Sequence, residues 1–230
     1  MISENIKMLQ IVANGLAELK EEVVFVGGTV TELYVSNPAI AGFRPTTDVD
    51  CVIELGSKLE FSKLEEKLRS MGFVNDISLD APICRWIYKG IKVDVMPTDE
   101  EILGFGNKWY IAGIENKIVK TLPDGIKISV FTMPYYLAAK FEAHRNRGGA
   151  DLRQSRDFED IIYILDNSTE LLQKIGKAKK DLKIYLKKEC KSLLDNHNLM
   201  EGVETALPYG SGDGRTRIIE DIIKNITKIK

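Results

Sequence analysis

The chemistry-bearing tripeptide of this 230-residue chain is Asp48-Val49-Asp50. It opens an apolar run that predicts a strand over 49–54. Side chains alternate along a strand, so both carboxylates leave from one face while Val49 enters the core. Adjacent carboxylates repel and raise each other's pKa values unless a cation neutralises them. A hard, oxygen-seeking ion such as Mg²⁺ does this, and it typically links protein carboxylates to substrate phosphates. Upstream, the run Val23-Val24-Phe25-Val26 stops at Gly27-Gly28. A strand-to-helix turn made of glycines presents bare N–H groups to a phosphate. Thr47 offers a hydroxyl beside Asp48, either to the same phosphates or to a turn. Asp94, in Lys92-Val93-Asp94-Val95-Met96, leaves another strand on the face opposite Val93 and Val95. Beside the first two carboxylates it would complete a site for two Mg²⁺ ions and in-line phosphoryl transfer. Singly, each element has a plainer reading: a turn, a solvated acidic pair, a cap or a partner for Lys92. Their specificity lies in the combination and its order.

These residues must be held by an α/β scaffold. Helical spacing of Ile6, Leu9, Val12, Ala13, Leu16 and Leu19 predicts a helix over 4–20, weakened at Gly15. Residues 29–35 open a short helix that Asn37-Pro38 breaks, and 61–71 form an amphipathic helix ended by Gly72. Residues 84–89 and 91–96 form a hairpin about Gly90, and Pro123-Asp124-Gly125 turns between two more apolar runs. From Pro134 onward the pattern is helical, over 134–147, 155–166, 169–193 and 216–229. The expected fold is a mixed β-sheet with flanking helices, plus a helical C-terminal part. Residues 1–133 would be the catalytic domain, and 134–230 a helical domain completing its cleft.

Composition narrows the function classes. With 44% hydrophobic and 29% charged residues, the chain has the balance of an ordinary folded domain. No apolar stretch reaches the ~18 residues of a membrane span, and no signal-peptide pattern opens the chain, so a cytoplasmic protein with no membrane partner is expected. Cys51, Cys84 and Cys190 are scattered, in keeping with a reducing compartment, and two histidines exclude a histidine-rich metal site. The net charge of -2 divides unevenly: 14 Lys/Arg against 19 Asp/Glu in residues 1–139, then 18 against 15 in 140–230.

Gly-Gly after the first strand, then Asp-x-Asp, then a third aspartate on a later strand resembles the DNA-polymerase-β-type nucleotidyltransferase superfamily. Phe25–Val35, Arg44–Glu54 and Ile91–Pro97 look like its AbiEii-like branch, the nucleotidyltransferase toxins of abortive-infection and toxin–antitoxin systems. The resemblance covers roughly residues 20–165. The chain departs from the compact motif in having nineteen residues between Gly28 and Asp48, so 36–46 must loop out. The branch also carries a lysine on the first helix after the core, matched by Lys140, and an Arg-Asp-x-x-Asp segment, matched by Arg156, Asp157 and Asp160.

That resemblance implies transfer of a nucleoside monophosphate from an NTP to an acceptor hydroxyl, with release of pyrophosphate. Asp48, Asp50 and Asp94 would hold Mg²⁺, and Gly27, Gly28, Thr47 and Lys140 would hold the nucleotide. Asp157 or Asp160 would assist catalysis, the alternative being salt bridges to Arg153 or Arg156. Lys140, His144 and Arg147 recur at i, i+4 and i+7, a cationic helix face suited to a triphosphate or simply to solvent. The acceptor would be RNA, especially a tRNA end, and the partner a cognate antitoxin. Two other readings accompany this one: a small-molecule nucleotidyltransferase of the antibiotic-modifying kind, and a non-catalytic nucleotide-binding module. Eight lysines in 174–191 read as a charged outer helix, and 210–216 as a helix entry without the Lys-Ser/Thr ending of a P-loop.

Overall fold

The computed structural model describes residues 2–37, 44–148 and 151–230. Contacts divide the chain into two units, Met1–Leu33 with Phe43–Thr132, and Tyr34–Gly42 with Met133–Lys230. The expected loop over 36–46 and the break at Pro38 lie largely outside the described residues.

The first unit is built on a seven-stranded mixed sheet. Its strands are β1 (Val23–Val26), β2 (Asp48–Ile53), β3 (Val74–Asn75), β4 (Arg85–Tyr88), β5 (Ile91–Pro97), β6 (Lys117–Thr121) and β7 (Lys127–Phe131). The spatial order is β3-β4-β5-β2-β1-β7-β6. β2 runs parallel to β5 and β1 parallel to β7, while the remaining pairs are antiparallel. All four residues of β1 are buried, which is why that strand is a continuous apolar run rather than an alternating one. The helices of this unit are α1 (Glu4–Gly15), α2 (Lys58–Ser70) and the short α3 (Glu100–Leu103) and α4 (Tyr110–Glu115).

Local chemistry sets these boundaries. Ser3 and Ser57 cap α1 and α2 by accepting from the amides of Ile6 and Glu60. α1 is shorter than its apolar spacing predicts: a tight 3₁₀ turn, Ala17–Glu21, continues the chain from Leu16. Gly15 explains the weak point. A side chain there would lie 2.3 Å from the Tyr88 ring, so the glycine lets the ring pack against the helix backbone.

The second unit is helical: α5 (Met133–Arg147), α6 (Arg156–Asn167), α7 (Leu171–Gly176), α8 (Lys180–Leu194), α9 (Leu199–Ala206) and α10 (Gly212–Lys228). Two differences from the periodicity stand out. The run 169–193 is two helices separated at Lys177–Lys179, and the amphipathic α9 falls in a stretch with no helix expected. α6 buries Phe158, Ile161, Ile162, Ile164 and Leu165, and Ser155 caps it by accepting from the Phe158 amide. Among the described residues no helix is long and apolar enough to cross a membrane.

Candidate active site

The parallel pairing of β2 with β5 places Asp50 directly beside Asp94 and Asp48 beside Lys92. Val49, Val93 and Val95 are fully buried on the core side, so the three aspartates share the opposite face. One carboxylate oxygen from each of Asp48, Asp50 and Asp94 lies within 4.8 Å of the others. An all-oxygen donor set of this size suits Mg²⁺ or Mn²⁺ and does not suit a soft metal.

Gly27 ends β1 next to this cluster because Val26 pairs with Asp50 across the antiparallel β1–β2 ladder. Its φ of +71° lies in the left-handed region. A Cβ on Gly27 would come within 1.7 Å of Asp50 Oδ2 and 2.6 Å of Asp50 Cγ. The glycine is therefore the floor on which the Asp50 carboxylate rests. Gly28 is buried and begins a 3₁₀ segment, Gly28–Tyr34, and its carbonyl accepts from Thr31 Oγ1 at 2.8 Å. Thr29 Oγ1, fully buried in this segment, has no hydrogen-bond partner among the described residues.

Thr47 is exposed, and it is Thr46 whose hydroxyl meets the cluster, 2.9 Å from Asp48 Oδ1. Thr46 is in turn held by Asn5, a fully buried side chain on α1. Asn5 accepts from the Thr46 amide and donates to the Arg44 carbonyl at 2.8 Å, bracing the chain just before β2. No spacing rule in the sequence points to Asn5.

Arg85 is the other residue that motif reading passes over. From β4 its Nε and Nη2 donate to Asp94 Oδ1 and Oδ2, both at 2.7 Å, and Nη2 lies 3.5 Å from Asp48 Oδ2. Asp94 pairs with this arginine and not with Lys92. The hydrogen bonds to Asp94 outweigh burial and push the Arg85 pKa further up, so the guanidinium is a permanent charge.

Lys140, Asp157 and Asp160 are brought together in a separate, buried cluster of the helical unit. Lys140 Nζ lies 3.1 Å from Asp157 Oδ1 and 2.7 Å from Asp160 Oδ2. Arg147 Nε adds a contact of 2.8 Å to Asp157 Oδ2. Burial alone would raise the Asp157 pKa, but Arg147 and Lys140 together outweigh it and hold the carboxyl at about 2. Along the face that carries Lys140, His144 and Arg147, Lys140 is buried and His144 Nδ1 meets Ser155 Oγ at 2.7 Å, while Arg147 stays exposed as it reaches Asp157. Arg153, one of the two arginines in the salt-bridge alternative, binds Asp151 and Glu201. A groove of about 510 Å³ at the C-terminal ends of β2 and β5, lined by Glu54, Thr98, Asp99, Asn107 and Lys108 among others, includes none of the three clustered aspartates.

No family model and no curated protein matches this chain. Among solved structures it is similar to an H. pylori protein provisionally described as a nucleotidyltransferase, at 14% identity and a TM-score of 0.47, over 99% of this chain and 96% of that one. A likeness at this level assigns neither family nor activity.

Proposed function

We propose that the chain is a divalent-cation-dependent nucleotidyltransferase that moves a nucleoside monophosphate from an NTP to an acceptor hydroxyl. The observation that carries this reading is the convergence of Asp48, Asp50 and Asp94 within 4.8 Å on two parallel central strands, beside the glycine turn that closes β1. Three carboxylates in one place repel strongly, and a cluster of that kind has a use where cations and phosphates meet. The order Gly-Gly, Asp-x-Asp, Asp, which resembles the polymerase-β-type motif, supports the same reading.

Asp48, Asp50 and Asp94 would hold the Mg²⁺ ions. When bound, such ions neutralise phosphate charge and polarise the reacting phosphoryl group. The chain's own residues do the positioning. Gly27 keeps the space that Asp50 needs, and Thr46 orients Asp48 through its hydroxyl. The amides of the Gly27-Gly28 turn bind a phosphate of the NTP. Asp94 takes the proton of the acceptor hydroxyl as that hydroxyl's oxygen bonds to the α-phosphorus and the bond from that phosphorus to the departing pyrophosphate breaks. Lys140, Asp157 and Asp160 belong to the proposal as residues of the helical unit that serve the same reaction.

The proposed acceptor is an RNA, in particular a tRNA end, which would make the protein a cytoplasmic growth-inhibiting toxin with a cognate antitoxin. Support for this finer assignment is the resemblance of the motif to the AbiEii-like branch.

Incubation with each of four labelled NTPs, Mg²⁺ and total RNA tests the reading. Label should enter RNA with one preferred nucleotide. Asp48→Asn should lower transfer on the order of 10³-fold while the protein stays folded, because a metal-holding charge has been removed from a partly exposed position. Full activity in Asp48→Asn refutes the metal assignment, and label entering small hydroxyl compounds but not RNA refutes the acceptor.

A further inference from the structure

The three aspartates share their face with a cation that belongs to the protein itself. Arg85 covers both oxygens of Asp94 in a two-bond fork and stands 3.5 Å from Asp48. The fit of a planar guanidinium to a carboxylate makes this pairing strong and directional. Its geometry is also enforced from the backbone. The β4–β5 hairpin sets Arg85 opposite Asp94, and the Arg85 amide and carbonyl are tied to Pro82 and Asp76. With a side chain only 19% exposed, Arg85 faces the carboxylates rather than solvent.

Formal charge then limits how many cations fit. Asp48, Asp50, Asp94 and Arg85 together carry -2, three carboxylates less one guanidinium. One divalent cation neutralises the group. A second would lie beside both the first and the guanidinium, and would compete with Arg85 for Asp94.

We propose that Arg85 is a resident cation that sets the metal stoichiometry of the site. In the chain without nucleotide it fills the Asp94 side of the cluster, so that a single divalent cation is taken at Asp48 and Asp50. The second position, which needs Asp94, opens only when the guanidinium lets that carboxylate go. This inference rests on the nucleotidyltransferase reading and adds to it a regulation of the same site.

Mn²⁺ titration followed by electron paramagnetic resonance, on the full chain without nucleotide, tests it. Arg85→Gln should bind one more Mn²⁺ per chain than the wild type. The site they share should tighten on the order of tenfold, because a nearby positive charge is gone. Arg85→Lys keeps the charge but cannot cover both oxygens. It should gain the extra site more weakly, and it serves in place of Arg85→Gln should that variant fail to fold. A packing role alone would lower stability without adding a metal site. An unchanged number of Mn²⁺ sites in the folded Arg85 variant overturns the proposal. Asp50→Asn separates the two failures. If it binds Mn²⁺ like the wild type, the acidic cluster is not the metal site and both readings fall. If it loses Mn²⁺ while the Arg85 variants match the wild type, the Arg85 inference falls alone.

Discussion

Replacing Gly27 with alanine separates what the β1 turn does for folding from what it does for the acidic cluster. The backbone there has φ +71°, and a Cβ in the left-handed region costs roughly 1–2 kcal/mol. For a protein of this size each kcal/mol lowers Tm by roughly 2–4 °C. Gly90 provides the control, with φ +81° and nothing within 4 Å of an added Cβ, so Gly90→Ala feels the backbone penalty alone. At Gly27 the new methyl would sit 1.7 Å from Asp50 Oδ2, where ordinary contact begins at 3.4 Å, so that oxygen must retreat by about 1.7 Å. Rotation of the Asp50 side chain moves Oδ2 and Cγ but not Cβ, which lies 2.8 Å from the added methyl, so the backbone of β2 must shift there as well. The geometry of the three carboxylates cannot survive the rotation. A displacement of about 1 Å at a reacting centre can cost on the order of 10²-fold in rate. Gly27→Ala should therefore melt below Gly90→Ala, and only Gly27→Ala loses nucleotide transfer by ~10² and weakens Mn²⁺ binding. Melting curves, Mn²⁺ titration and labelled-NTP transfer on the two variants make the comparison. Equal Mn²⁺ affinity and equal transfer in both would refute the link between the glycine turn and Asp50.

The helical unit and the thiols give further tests. Lys140→Ala leaves Asp157 and Asp160 buried without their shared ammonium and should destabilise the protein by about 3–5 kcal/mol, whereas exposed Lys180→Ala should stay within about 0.5 kcal/mol. Urea melts read the first effect; NTP titration of the folded fraction reads any role in catalysis, which a wild-type kcat and KM in Lys140→Ala would exclude. Burial holds the His144 imidazole below its usual pKa, more than Asp157 raises it, so the unfolded chain takes up its proton first. Its contribution to stability is complete above about pH 6.5 and declines as the pH falls through that value. Tm measured from pH 7.5 to 5 should drop less steeply in His144→Asn, and parallel slopes would rule out this histidine as the cause. Burial pushes the Cys51, Cys84 and Cys190 thiols up, Cys84 to about 12. A thiol-reactive dye at pH 8 should label none of the three in the native protein and all in denaturant. Rapid labelling of a native cysteine would contradict that burial.

Motif residues and their neighbours were legible in the chain to unequal degrees. Asp48, Asp50 and Asp94 could be placed on one kind of surface because strand alternation is a local rule and Val49, Val93 and Val95 mark the buried side. Arg85 was within reach of the same reasoning. Lys89 and Gly90, both with positive φ, make a two-residue hairpin turn that pairs Tyr88 with Ile91, and counting back three residues puts Arg85 opposite Asp94. Asn5 was out of reach: its bonds to Arg44 and Thr46 span about forty positions, and no local pattern encodes them.

The helices show the same division. Apolar periodicity located α6 and most of α5, but a helix period does not say what a charged face will meet. Lys140, His144 and Arg147 read equally as a solvated stripe or a phosphate-binding face, and packing set them against Asp157 and Ser155. By itself the sequence determined the central strands and the longest helices, where glycine must stand, and which face of β2 and β5 carries carboxylates. These follow from backbone sterics and from side-chain period, which act over a few residues. Only the tertiary structure decided that β2 lies parallel to β5 with Asp50 level with Asp94, that Arg85 joins them, and that Lys140 is enclosed by two aspartates. Those outcomes depend on pairing and burial between distant segments, where the cost of leaving charges unmatched away from water chooses the partners.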